Sequence, residues 1–140
     1  MTGVVVVSIV FALSVVAGLA LSRSGHRLGR RAAAVAQREL LTPDDLGATL
    51  GERATLVQFS SAFCQPCRAT RRVLVEVAGG VDGVAHIEID AEDNLELVRR
   101  LDVRRTPTVL VLDAAGGIVR RASGQPRKAD VIAALGEAIA

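Results

Sequence analysis

The residues best suited to chemistry are Cys64 and Cys67, the only two cysteines of the 140-residue chain, separated by Gln65 and Pro66. A Cys-x-x-Cys pair suits thiol–disulfide exchange, in which one thiolate attacks a disulfide sulfur and a second thiol resolves the mixed disulfide. Cys64 is the expected nucleophile. It lies nearest the start of a predicted helix, where unpaired N–H groups and the positive end of the helix dipole favour a thiolate. A free thiol titrates near about 8.5, and such settings lower this to roughly 3.5–7.5. Cys67, one turn in, is the expected resolving thiol.

The stretch around the pair, Thr55 to Leu74, reads TLVQFSSAFCQPCRATRRVL. Leu56, Val57 and Phe59 mark a strand over 54–60, and the Arg-rich run after the cysteines marks a helix over about 65–78. Pro66 fits the first turn of that helix, which has no use for its missing N–H. Arg68 and Arg71 either add positive potential or form the helix's wet face. Upstream, 39–41 reads as a short strand. Thr42-Pro43-Asp44-Asp45 reads as a capped helix start, with Leu46 and Leu50 on one face and Gly51 as its end. Downstream, Gly79, Gly80 and Gly83 form a loop, 84–90 alternates like a strand, and 93–101 holds a helix with Leu95, Val98 and Leu101 on one stripe. Thr108 to Leu112 is an apolar strand, 114–117 a turn, and 117–123 a last strand. A helix over 127–139 follows, with Val131, Ile132, Leu135 and Ile139 inward. This order suits an α/β fold with a mixed central sheet covered by helices on both faces.

Phe63-Cys64-Gln65-Pro66-Cys67, preceded by Leu56-Val57-Gln58-Phe59 and followed about 40 residues later by Thr106-Pro107-Thr108, resembles the thioredoxin family. The likeness covers about the last hundred residues and implies a thioredoxin-like fold over 39–140. It implies a redox-active Cys64–Cys67 disulfide, no cofactor in the chain and a thioredoxin-reductase-type electron donor. It also implies a cis bond between Thr106 and Pro107, with the Thr106 backbone hydrogen-bonding the substrate chain.

Three positions depart from the family's pattern. Phe63 replaces the usual Trp, keeping an apolar cover, and joins Thr106 and Pro107 among the expected substrate-binding residues. Gln58 replaces a buried Asp and cannot take a proton. His86 stands where a Lys often lies; it is a candidate proton relay for Cys67, and the alternative is a packing histidine. Arg104 and Arg105 either border the substrate groove or are solvated loop charges.

The chain ahead of this domain has a different character. From Gly3 to Leu21 no residue is charged, a run that at about 1.5 Å per residue spans the hydrocarbon core of a bilayer. Residues 1–22 are therefore expected to form one transmembrane helix and 23–38 a basic juxtamembrane linker. A cleavable secretory signal ending at Gly18-Leu19-Ala20 is the alternative. Against it stand the run's length, the absence of Lys or Arg before it and the arginines directly after it. Arg23, Arg27, Arg30 and Arg31 favour the cytoplasmic side, which places the domain at the cytosolic face of the cell membrane. Residues 42–140 carry twelve basic and fourteen acidic side chains, so they offer no basic field for nucleic acid.

The expected function is that of a membrane-tethered thiol–disulfide oxidoreductase acting on disulfide-bearing protein clients. An exported, extracytoplasmic reductase or oxidant and a redox-inactive adaptor on the same fold are the alternatives. A metal site is not expected, because structural zinc wants four ligands and only a dimer sharing four cysteines supplies them.

Overall fold

The computed structural model describes residues 39–140, which form one compact unit. The expected membrane helix over 1–22 and the basic linker over 23–38 lie outside the described residues. Among the described residues no helix is long and apolar enough to cross a membrane.

The order is α1 (Pro43–Leu46), β1 (Ala54–Ser60), α2 (Gln65–Gly79), β2 (Val84–Asp90), α3 (Leu95–Arg100), β3 (Thr108–Asp113), β4 (Ile118–Ser123) and α4 (Lys128–Ile139). The four strands lie in the spatial order β2-β1-β3-β4. β1 runs parallel to β2 and antiparallel to β3, and β3 and β4 form an antiparallel hairpin. This is the mixed sheet expected from the sequence.

β1 is central, and all seven of its residues are buried. Successive side chains of a strand point to opposite faces, so it feeds two cores. Val57 and Phe59 pack with Ile87, Ile89, Leu110 and Leu112 under α1 and α3. Ala54 and Leu56 pack with Val109 and Val111 against Leu74 and Val77 of α2 and Val131 and Leu135 of α4.

The structure corrects four details of the sequence reading. Residues 39–41 form no strand: Leu40 makes a single bridge to Gly117, and the segment's other main-chain bonds go to Gly116 and to Ile118 at the very start of β4, too few to extend a ladder. The first helix ends at Leu46, where Gly47 adopts φ 64° and closes it. Gly51 has another task, since a Cβ there would lie 2.1 Å from the Ala54 carbonyl oxygen and 2.7 Å from the Ala85 nitrogen. Around α3 the buried pair is Leu97 and Leu101, the residue that follows the helix as its C-cap, while Leu95 at the first position is 53% exposed. In α4 the inward stripe is Val131, Leu135 and Ala138, and Ile132, about 100° further round the helix, is 52% exposed.

Candidate active site

Strand β1 ends at Ser60, and after three intervening residues the chain enters α2 with Cys64 as its N-cap. Cys64 has extended backbone angles, and its Sγ accepts a hydrogen bond from the Cys67 N–H at 3.2 Å. That N–H is one of the donors a helix leaves unpaired in its first turn, and here sulfur takes the place of the usual capping oxygen. Cys64 and Cys67 are joined as a disulfide. Cys64 is partly exposed, whereas Cys67 is only 2% exposed. An attacking sulfur must reach solvent and a resolving sulfur must reach only its neighbour, and the two positions meet those unequal needs.

Phe63, just before the pair, has φ 62° and is 96% exposed. A bulky residue in the left-handed region costs of order 1–3 kcal/mol, and such residues cluster at functional sites. A large apolar ring left in water beside a reactive disulfide suits contact with another molecule.

The Thr106–Pro107 peptide bond is cis. Four hydrogen bonds hold this segment. Thr106 Oγ1 and Ser61 Oγ share a hydrogen bond of 2.8 Å, and the Gly124 N–H donates to the Pro107 carbonyl at 2.7 Å. The Thr108 hydroxyl donates to the Arg105 carbonyl, and the Arg105 guanidinium donates to the Ser123 carbonyl at 2.9 Å. Arg105 is thus a brace between the proline loop and the end of β4. Arg104 pairs with Asp102. With Ala91, Leu95, Val98, Val103 and Thr106 it lines an open groove of about 270 Å³.

Beneath Cys67 lies Gln58, fully buried. Its Nε2 donates to the Cys67 carbonyl at 2.8 Å and to Ser60 Oγ at 2.9 Å. Its Oε1 meets His86 Nε2 at 3.3 Å. An amide oxygen only accepts, so His86 Nε2 carries a proton in this arrangement. The chain of contacts from His86 therefore reaches the main chain of Cys67 by way of Gln58. Burial holds His86 below the usual histidine range, opposed by the charge of Glu88 and aided by that of Arg71. Glu88 is itself held low, first by the Arg71 guanidinium that binds both its oxygens and also by Ser60.

The structure brings together Phe63, Cys64 and Cys67 at the start of α2, with Thr106 and Pro107 tied to their loop through Ser61. His86 sits on the inner side, one amide away from Cys67. Ser60, Ser61 and Glu88 were not picked out in the sequence. For Glu88 a signal existed, since it lies two residues from His86 on an alternating strand and shares its face. Arg71, weighed as a wet-face charge, is Glu88's partner. Among the described residues no group of three or more His, Cys, Asp or Glu side chains is placed to hold a metal ion.

Comparison with known proteins gives a consistent result. The family model described as Thioredoxin matches residues 40–137. A thioredoxin of Staphylococcus epidermidis is 28% identical over 89 residues, covering 63% of this chain and 86% of that one. A thioredoxin of Mycolicibacterium smegmatis is 32% identical over 90 residues, covering 62% and 80%. Among solved structures, spinach chloroplast thioredoxin F superposes with a TM-score of 0.59 at 20% identity, covering 74% of this chain and 89% of that chain. The thioredoxin of Fasciola hepatica gives 0.55 at 23% identity, covering 63% and 83%. At these identities the two structures speak for the fold.

Proposed function

The chain belongs to the thioredoxin family and is a thiol–disulfide oxidoreductase, and from that premise we propose that it is tethered to the membrane and reduces client disulfides at the cytosolic face through Cys64 and Cys67. The observation that carries the chemistry is the unequal placement of the two sulfurs at the start of α2: Cys64 is partly exposed and bonded by an N–H, Cys67 is buried beside it.

The reaction runs in two exchanges. In the reduced protein the Cys64 thiolate attacks one sulfur of a client disulfide, forming a mixed disulfide and releasing the other client sulfur as a thiolate. The Cys67 thiol loses its proton and attacks Cys64 Sγ. This forms the Cys64–Cys67 disulfide and releases the second client thiolate. Two electrons pass to the client, and a reductase-type partner returns two electrons to the disulfide. The same N–H that bonds Cys64 Sγ here favours its thiolate when reduced. Phe63 and the Thr106–Pro107 edge are assigned to client contact. His86 is linked through Gln58 to the Cys67 carbonyl and not to its sulfur, so it is assigned to orienting that main chain, and the proton that Cys67 loses passes to the client thiolate released in the first exchange or to water.

The tether rests on the uncharged run 3–21 and the arginines that follow it. Two experiments test the proposal. Reduction of insulin disulfides by the full chain is expected to vanish in Cys64→Ser and to persist in Arg99→Ala; equal losses in both contradict the mechanism. For topology, a cysteine placed within 23–31, in a Cys64→Ser/Cys67→Ser background, is expected to resist a membrane-impermeant thiol reagent in intact cells. Rapid labelling there contradicts the cytosolic assignment.

A further inference from the structure

The ladder between β1 and β3 ends at the pair Phe59–Thr108. Two residues further out on each side, in the same antiparallel register, stand Ser61 and Thr106. Pro107 has no N–H to give to a ladder, so main-chain pairing stops where the two loops that build the site diverge. One loop leads to Phe63 and Cys64; the other holds the Thr106–Pro107 edge. The Ser61 and Thr106 hydroxyls meet at 2.8 Å across this gap. The main chain at Ser60 turns the other way, its carbonyl accepting from the Ala91 N–H at 2.8 Å beyond the end of β2. The proline loop is anchored independently, to the end of β4 through Gly124 and Arg105. The hydroxyl pair is thus a direct tie between the sulfur-bearing loop and the anchored proline edge.

We infer that Ser61 and Thr106 are positioning residues whose mutual hydrogen bond sets the distance between the attacking sulfur and the edge that receives a client's backbone. The inference rests on the exchange reading given above and adds a consequence for substrates. A protein disulfide on an extended segment must meet Cys64 and the Thr106 edge at once. A small disulfide with no polypeptide need meet only Cys64. The tie therefore favours the first class over the second.

The measurement is kcat/KM of the full chain, in detergent solution, for insulin and for 2-hydroxyethyl disulfide. It is made for the unmutated protein, Ser61→Ala, Thr106→Val, their double variant and Thr106→Ser. One hydrogen bond of ordinary net strength corresponds to a fall of about two- to tenfold in the insulin-to-small-disulfide ratio. That fall is expected in each hydroxyl-deleting single variant, with no further fall in the double variant, because both remove the same bond. Thr106→Ser keeps the hydroxyl and is expected to keep most of the ratio. An unmoved ratio overturns the inference, as do independent effects that multiply in the double variant. The unmutated chain's rate with the small disulfide tests the exchange reading alone: its absence overturns both readings, and its presence with an unmoved ratio overturns only the tie.

Discussion

The two sides of strand β1 are built from different chemistry. Val57 and Phe59 face α1 and α3 among buried apolar side chains, and the one polar residue of β1 on that side, Thr55, accepts from the Gly51 N–H. Gln58 and Ser60 face the other way, toward α2, where they meet the Cys67 carbonyl, His86 and the Glu88–Arg71 pair. One set of alternate residues therefore supplies stability alone, while the other supplies stability through Ala54 and Leu56 and site geometry through Gln58 and Ser60. Polar groups are tolerated in the second set because each finds a partner: a buried amide left unpaired costs more than a satisfied one returns.

The largest effect that separates the two sides is expected on the apolar one. Phe59→Ala removes a fully buried ring and is expected to cost about 3–5 kcal/mol of folding stability, read by denaturant unfolding. The redox potential of the protein that remains folded is expected to stay where it was; a large change in potential would erase the division between the sides. Gln58→Leu is the matching change on the polar side. It keeps the volume roughly constant and strips partners from the Cys67 carbonyl, the Ser60 hydroxyl and the His86 N–H. The expected cost is about 1–3 kcal/mol, together with a shifted pH profile for insulin reduction. Lost stability with an unaltered profile would make Gln58 a packing residue only.

Acidity sharpens the contrast further. Burial holds the folded pKa of His86 below its ordinary value, so the unfolded chain binds a proton that the folded chain refuses. The stability tied to His86 is therefore fully present above about pH 6.5 and declines as pH falls through the lowered folded value. Urea midpoints followed from pH 8 to 5 are expected to show this decline, and His86→Gln to lack it. Asp45 and Glu88, both held low by their arginine partners, act in a separate window: their contribution is lost only at more acidic pH. The smallest effect belongs to the ion pair at the rim of the polar side. Arg71 is half exposed, so Glu88→Gln is expected to cost less than about 1 kcal/mol and to matter less as salt rises.

Much of this was legible in the sequence because it is carried by local patterns. The alternation of 84–90, the apolar run before Phe63 and the proline within the cysteine motif each report a local backbone preference. They place the strands, the α2 start and the Cys64–Cys67 pair, while the role of Thr106–Pro107 and its cis bond follow from the family resemblance. Gln58 and His86 stand out as departures from the family's pattern. The errors have a common cause in tertiary context. Leu95 and Ile132 are as apolar as their buried neighbours, and only the docking angle of each short helix decides which face is covered. Gly47 and Gly51 are equally able to end a helix, but the close approach of Ala54 and Ala85 reserves Gly51 for packing. The Ser61–Thr106 bond joins residues 45 apart, and it becomes visible only once the register of β1 against β3 is known.

The central claim is that polarity and exposure are divided between Cys64 and Cys67 so that the first attacks and the second resolves. Covalent trapping tests it most directly. Reduced Cys67→Ser protein, mixed with a disulfide-bearing client, is expected to accumulate a mixed disulfide through Cys64 that dithiothreitol releases, while Cys64→Ser accumulates none. Equal trapping by both variants, or trapping through Cys67 alone, would contradict the account.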